Sequence, residues 1–350
     1  MTKKASSFLR ACQRQPTRYT PVWFMRQAGR SLPEFRAIRE KHAFVDVCRQ
    51  PELCAEVTMQ PVRRLGVDAA ILFADIMTPL IETGWDIDLV EHVGPVIRQP
   101  VRSLGDLAHF RTLIPDEDLP FVGKTIQLVK AELGDQIPLI GFAGAPFTLA
   151  AYLIEGRTPR TFAGTKGVMY GQSELWEALM ERLTDLTITY LQAQVDSGAD
   201  AIQLFDSWVG CLSPQDYATY VRPYTQRVLG TLRSLGKPII HFGTDTSTLL
   251  SQMRDDGGTV IGVDWRISLD TARGLIGPDL AIQGNLDPAV LLGSWEVIRQ
   301  QAITILRQTA GQAGHIFNLG HGILPETPLD HIVRLVELVH EYEPESAGAL

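Results

Sequence analysis

Residues 21–30 read Pro21-Val22-Trp23-Phe24-Met25-Arg26-Gln27-Ala28-Gly29-Arg30. An apolar, strand-like run passes directly into a polar turn holding two arginines and a glutamine. Gly29 gives the backbone freedom to bend between them. In an open, doubly wound α/β sheet, the turn after the first strand is a glycine-rich phosphate loop. Arg-Gln-Ala-Gly-Arg stands there instead. Guanidinium forks grip carboxylates or phosphates through paired hydrogen bonds. The turn therefore reads either as an anion clamp at the end of a strand or as two solvated surface arginines.

Seven further apolar runs follow: 68–75, 138–144, 200–207, 238–243, 259–265, 280–285 and 315–320. Each has a short continuous apolar centre without clean alternation, as expected of parallel strands covered on both faces. Helical patterns separate them. Leu175, Leu179, Leu183, Leu186 and Tyr190 recur at helical spacing and Gly198 closes that segment. Ser213-Pro214-x-Asp216 and Thr327-Pro328-Leu329-Asp330 both read as helix starts. Pro223 is expected to kink the helix that begins at Ser213, and another helix is expected over about 294–307. Eight buried strands alternating with helices predict α/β architecture, a single (β/α)8 TIM-type barrel over residues 1–350. The first six or so residues and the last eight are expected to be loose. Residues 84–118 and 156–171 read as the least structured insertions; the second carries Arg157, Arg160 and Lys166, as a basic lid or a solvated loop.

The 350 residues are 45% hydrophobic and 21% charged, which suits a globular protein with a large core. A formal net charge of −8 offers no general attraction to nucleic acid or anionic membranes, so an anionic ligand would need local cations. Cys12, Cys48, Cys54 and Cys211 form no C-x-x-C pair and read as reduced thiols of a cytoplasmic protein. The basic N-terminus lacks the apolar centre of a secretory signal. Residues 139–154 are uncharged but short for a membrane span and interrupted by glycine and proline, so they read as strand, turn and helix start.

A barrel of this kind places its chemistry at the C-terminal strand ends. Those ends hold Arg26, Gln27, Arg30, Asp75, Tyr152, Asp206, Ser207, His241, Asp264, Asn285 and His321. Asp206 and Asp264 also fit as caps of the following helices, and His241 fits as a packed, hydrogen-bonded core histidine. No lysine stands at a strand end, which disfavours Schiff-base chemistry. No His, Cys and carboxylate cluster has metal-ligand spacing, and no phosphate loop or dinucleotide fingerprint is present. The expectation is a pocket for anions that uses neither metal nor cofactor.

The stretch 21–35, with Leu32-Pro33-Glu34-Phe35 after the turn, resembles the N-terminal signature of the uroporphyrinogen decarboxylase family. Residues 141–152, GFAGAPFTLAAY, resemble its second signature. Phe73-Ala74-Asp75-Ile76, Phe205-Asp206-Ser207 and Asn318-Leu319-Gly320-His321-Gly322 also match, in order, from about residue 6 to 340. Ser31 departs from the usual tyrosine, just outside the clamp. The resemblance implies a (β/α)8 barrel, usually a homodimer, that removes four acetate carboxylates of uroporphyrinogen III without a cofactor, giving coproporphyrinogen III in haem and chlorophyll synthesis. It marks Arg26, Gln27, Ala28, Gly29, Arg30, Asp75, Tyr152, Ser207 and His321 as substrate-binding. Asp75 is expected to stabilise charge in the transition state, with Arg26, Tyr152 and His321 assisting, while the proton donor stays open. Two rivals are a corrinoid methyltransferase with a zinc-bound thiolate and a non-catalytic tetrapyrrole carrier. The first lacks its cysteines, because strand five ends His241-Phe242-Gly243-Thr244 and no cysteine follows Cys211.

Overall fold

The computed structural model describes residues 6–90, 93–309 and 312–343. The segments expected to be loose fall almost entirely outside these, although Ser6 is described and caps the helix Ser7–Cys12 by accepting the Leu9 N–H. Nine strands are formed: β1 (Ala70–Ile71), β2 (Ile87–Val90), β3 (Gly94–Ile97), β4 (Leu139–Gly144), β5 (Ala201–Asp206), β6 (Ile239–Gly243), β7 (Val260–Gly262), β8 (Ala281–Leu286) and β9 (His315–Leu319). Seven form one parallel sheet in the order β1-β4-β5-β6-β7-β8-β9, with helices in the connections.

The segment 21–24 supplies the eighth position and closes the barrel. Phe317 of β9 donates its N–H to Pro21 O at 2.8 Å, and Trp23 N–H reaches Phe317 O at 3.4 Å. On the other side Asp68 N–H donates to Val22 O at 2.8 Å. The pairing is reduced to a single parallel bridge, Val22 to Phe317. A proline at the start of the run removes one ladder donor. The Asp68 carboxylate stands in for part of the missing ladder: it accepts the Val22 N–H at 2.8 Å, the Tyr19 hydroxyl at 2.9 Å and faces His340 Nε2 at 2.8 Å. One aspartate therefore ties the closing segment to β1 and to the last helix, Leu329–Glu341.

Inside the barrel, Trp23 Nε1 donates to Gln283 Oε1 at 2.9 Å, and Gln283 Nε2 to Gln203 Oε1 at 3.1 Å. These three side chains, from the closing segment, β8 and β5, are almost wholly buried. Nearer the C-terminal strand ends, Phe142, Phe205 and Phe242 meet edge to face at centroid distances of 5.4 and 5.8 Å, giving an apolar floor.

Several sequence expectations need correcting. Residues 84–118 contain the antiparallel hairpin of β2 and β3 and a 3-10 turn, Leu104–His109. Residues 156–171 contain the helix Ala163–Gly171, whose start is held by Glu155 accepting from Thr165 N at 2.7 Å and Oγ1 at 2.9 Å. Lys166 does not hang free, since its Nζ donates to Cys211 O at 2.7 Å. Backbone pairing orders the first segment, and the polar contacts of Glu155 and Lys166 order the second. Ser213 caps as expected, accepting Asp216 N–H at 3.1 Å. Pro223 is accommodated by a π-helical turn, Tyr217–Val221, before the helix Arg222–Arg233. Thr327 is buried and makes no cap; the last helix starts at Leu329 instead. The long helix runs over Ser173–Asp196 and the one before β9 over Trp295–Thr309. Among the described residues no helix is long and apolar enough to cross a membrane.

Replacing Asp68 by Ala strips partners from the Val22 N–H and the Tyr19 hydroxyl at the closure. Leaving such groups unpaired costs about 1–3 kcal/mol each, so urea unfolding of Asp68→Ala is expected to show a loss on the order of 3 kcal/mol. A midpoint equal to wild type would mean the closure does not depend on this carboxylate.

Candidate active site

The turn after the closing segment is fixed by the side chains of Gln27 and Asn318 and by one backbone hydrogen bond from Ile323. Gln27 is buried; its Oε1 accepts the Phe24 N–H at 3.1 Å and its Nε2 donates to Ala69 O at 3.1 Å. Asn318 Oδ1, at the end of β9, accepts the Met25 N–H at 3.3 Å and the Leu319 N–H at 2.8 Å. Met25 O accepts from Ile323 N–H at 2.9 Å. Held this way, Arg26 adopts a left-handed backbone with φ of 58°, uncommon for a residue with a side chain. Its side chain is exposed, while Gln27 beside it points into the barrel wall. Gln27 thus holds the turn from below with both ends of its amide.

The stem of Arg26 lies across Gly322. A Cβ on Gly322 would come within 2.5 Å of Arg26 Cδ and 2.7 Å of its Cγ. Only glycine leaves room for the guanidinium to stand at the mouth in this way. Ala28, Gly29 and Arg30 continue the turn and are half-buried. Gly29 is also tight, with an added Cβ 3.0 Å from Arg26 O. Arg30 O accepts from Arg36 Nη1 at 2.6 Å, which anchors the turn to the helix Pro33–Arg39.

Asp75 follows β1 and is half-buried. One carboxylate oxygen, Oδ1, accepts the Met77 N–H at 2.8 Å; its own N–H donates to Thr78 Oγ1 at 3.3 Å. Burial pushes the pKa of Asp75 above the ordinary aspartate range, while the Met77 N–H and the charge of Arg26 pull it back down. Tyr152, on the buried helix Pro146–Glu155, lies within electrostatic reach of both. Burial raises the pKa of its phenol, Asp75 raises it further and Arg26 opposes. Its ring packs on Trp208, 5.9 Å between centroids, and Trp208 directly follows Ser207. Ser207 is half-buried and its carbonyl accepts from Thr244 Oγ1 at 2.6 Å. His321 sits beside Phe242 at 6.4 Å. Its pKa is lowered to about 4, first by burial and then by the charge of Arg26. The imidazole is therefore neutral at physiological pH. Arg26 is therefore the common electrostatic neighbour of Asp75, Tyr152 and His321.

The remaining strand-end residues divide differently from expectation. Asp264 does not cap the following helix, whose N-cap is Ser268; it ties its own turn to the one after β6, accepting the Arg266 N–H at 3.2 Å and the Asp245 N–H at 2.8 Å. Asp206 caps nothing; it is fully buried, with Thr148 Oγ1 donating to its Oδ1 at 3.1 Å. His241 is packed as expected, yet neither ring nitrogen finds a hydrogen-bond partner among the described residues; its Nε2 lies 3.7 Å from Asp206 Oδ2. Asn285 is occupied structurally, donating to Asp264 O at 2.8 Å and Ile267 O at 2.6 Å.

Residues 3–342 match the family model for uroporphyrinogen decarboxylase. The chain belongs to the uroporphyrinogen decarboxylase family. It is 52% identical over 336 residues to the uroporphyrinogen decarboxylase of Salinispora tropica, covering 96% of this chain and 90% of that one. It is 53% identical to a uroporphyrinogen decarboxylase of Thermus thermophilus, covering 95% and 97%. A methyltransferase from Methanosarcina mazei has a similar fold, with a TM-score of 0.81 at 20% identity over 97% of this chain and 99% of that one. Among the described residues, no group of three or more His, Cys, Asp or Glu is disposed to hold a metal ion. The four thiols are ill suited to ligating one, because burial raises the pKa of each, Cys54 to about 12 and Cys211 to about 11.

The roles of Gly322 and Asn318 were not legible in the sequence. The only signal was their place in the Asn318–Gly322 match, which did not reveal that one shapes and the other anchors the Arg26 turn.

The ring of His321 should stay neutral down to about pH 4, followed by NMR of its imidazole. Because the cation at Arg26 disfavours a second positive charge, Arg26→Met should move that titration to higher pH. A wild-type value near the ordinary 6.5, unmoved by the substitution, would contradict this electrostatic coupling.

Proposed function

We propose that this chain decarboxylates the acetate side chains of uroporphyrinogen III, giving coproporphyrinogen III, and does so without metal or cofactor. The observation that carries the reading is the pairing of a half-buried, partly capped Asp75 with the Arg26 cation at the mouth of a barrel of this family. The substrate brings eight carboxylates to a chain of net charge −8. Arg26 and Arg30 offset that mismatch locally, as forks for substrate carboxylates.

Loss of CO₂ from an acetate needs an electron sink. Protonation of the adjoining pyrrole at its α-carbon makes the ring cationic. The electron pair of the breaking C–C bond then flows into the ring, leaving an exocyclic methylene. A proton added at that methylene, with loss of the α-proton, yields the methyl group and restores the pyrrole. Asp75 is assigned the central role. As the anion it accepts the pyrrole N–H bonds and stabilises the ring cation, a preorganised charge placed where opposite charge develops. The Met77 N–H and Arg26 favour the ionised form that this role requires. Tyr152 and Ser207 hydrogen-bond substrate carboxylates or steady the Asp75 side of the pocket. His321, with its lowered pKa, can donate one ring N–H to a carboxylate. Gln27, Ala28 and Gly29 contribute through the turn that presents Arg26. The zinc-thiolate methyltransferase alternative finds no support, since β6 leads into Gly243-Thr244 and the thiols are far from thiolate character. A catalytically active homodimer in the cytoplasm, with the whole chain as one catalytic unit, is inferred from the family resemblance.

Two measurements test this. Purified protein incubated anaerobically with uroporphyrinogen III should release CO₂ and accumulate coproporphyrinogen. Asp75→Asn, folded by circular dichroism, should lose about 10²–10³ in kcat while still binding product. Near-normal turnover of that variant would reduce Asp75 to a helix cap. Second, exhaustive treatment with a strong chelator should leave turnover unchanged; a large loss restored only by zinc or magnesium would overturn the metal-free reading.

A further inference from the structure

Asp206 and Thr148 have no place in the mechanism above, yet their geometry converges on it. Along β5, Gln203 points into the barrel, where it meets Gln283, and Phe205 packs in the aromatic floor. Asp206 therefore points the other way, between the strands and the helices. There it is fully buried and accepts from Thr148 Oγ1 at 3.1 Å. The same oxygen accepts the Trp208 backbone N–H at 3.3 Å. One hydroxyl thus joins the end of β5 to the helix Pro146–Glu155 by both of its hydrogen-bonding modes. Ser207 lies between the two β5-side partners in sequence. Tyr152 lies four residues after Thr148, on the same face of that helix. The Tyr152 ring rests on the indole of Trp208 at 5.9 Å, and Phe162 also packs on Trp208 at 5.9 Å. Asp206 Oδ2 makes no hydrogen bond among the described residues and is 3.7 Å from His241 Nε2. A buried acid left partly unsatisfied is costly to keep for packing alone.

We propose that Asp206 and Thr148 are positioning residues for the reaction: together they latch the Ser207-Trp208 strand end to the helix of Tyr152 and so fix where Tyr152 and Ser207 meet the substrate. The inference rests on the decarboxylase reading for its catalytic consequence. Its geometric content does not. The latch transmits no charge to the substrate. It sets the distance between two groups on different elements, where a misplacement of about 1 Å can cost on the order of 10²-fold.

The test uses the full chain and three variants: Thr148→Val, of nearly equal shape without the hydroxyl; Thr148→Ser, which keeps it; and Thr148→Val combined with Tyr152→Phe. Thr148→Val should lower kcat/KM by about tenfold or more, because it displaces groups that meet the substrate. Thr148→Ser should restore most of the rate. In the Tyr152→Phe background, the Val substitution should cost much less than it does alone, because the group it positions is already gone. Independently of activity, hydrogen exchange of the Trp208 amide should quicken in Val and not in Ser. Unchanged exchange, or a Val effect equally large with Tyr152→Phe, or a loss of rate explained wholly by a lower melting temperature, would overturn the latch. If wild type releases no CO₂, the decarboxylase reading falls, and the exchange experiment alone decides whether the strand end is latched through Thr148.

Discussion

Closure of the barrel is the constraint on which the site depends. The segment 21–24 is too short and too proline-marked to form a full ladder, so it is held by a few bonds to Phe317 and Asp68 and by the Trp23 indole inside the barrel. Once it is wedged between β9 and β1, the next residues have no freedom to drift. Gln27 and Asn318 fasten the turn from its two neighbouring strand ends. Arg26 is then driven into a left-handed conformation that its own preference disfavours. Local strain of this sort persists only where surrounding contacts over-determine it, and it clusters at functional sites.

Placing one guanidinium here has electrostatic consequences around the mouth. The chain as a whole repels anions, yet the Arg26 charge lies within reach of Asp75, Tyr152 and His321. It pulls Asp75 toward the anion and His321 toward the neutral ring, opposing burial in the first case and adding to it in the second. One cation thus acts in opposite senses, relative to burial, on an acid and on a base that share its neighbourhood.

The fold was largely legible in the sequence because eight buried parallel strands leave eight apolar runs, and each coincides with a strand or, at 21–24, with the closing bridge. What misled was polarity read as looseness. The 156–171 segment has the composition of a loop, but Glu155 and Lys166 find partners distant in sequence or across a turn, and single-sequence periodicity carries no record of such contacts. Thr327 has the sequence of a cap and is buried instead. Arg26 and Asp75 could be picked out because charge at the end of an apolar strand is conspicuous. Gly322 could not, because its importance lies in an absent side chain, visible only once Arg26 is seen lying across it.

Asp206 shows the same limit from the other side. A carboxylate at a strand end reads equally well as a cap, a ligand or a catalyst, and the choice depends on which face of the strand it occupies. In a half-covered sheet the alternation of apolar and polar residues would settle that. In a barrel wall buried on both faces it does not, since Leu204, Phe205 and their neighbours are apolar in either direction. The face is fixed by Gln203 turning inward to Gln283, a pairing with a strand eighty residues away. Parity then sends Phe205 to the floor beneath the pocket and Asp206 to the helices behind it. A single-residue step along one strand therefore separates the aromatic floor at the barrel mouth from the buried acid bonded to the helix of Tyr152.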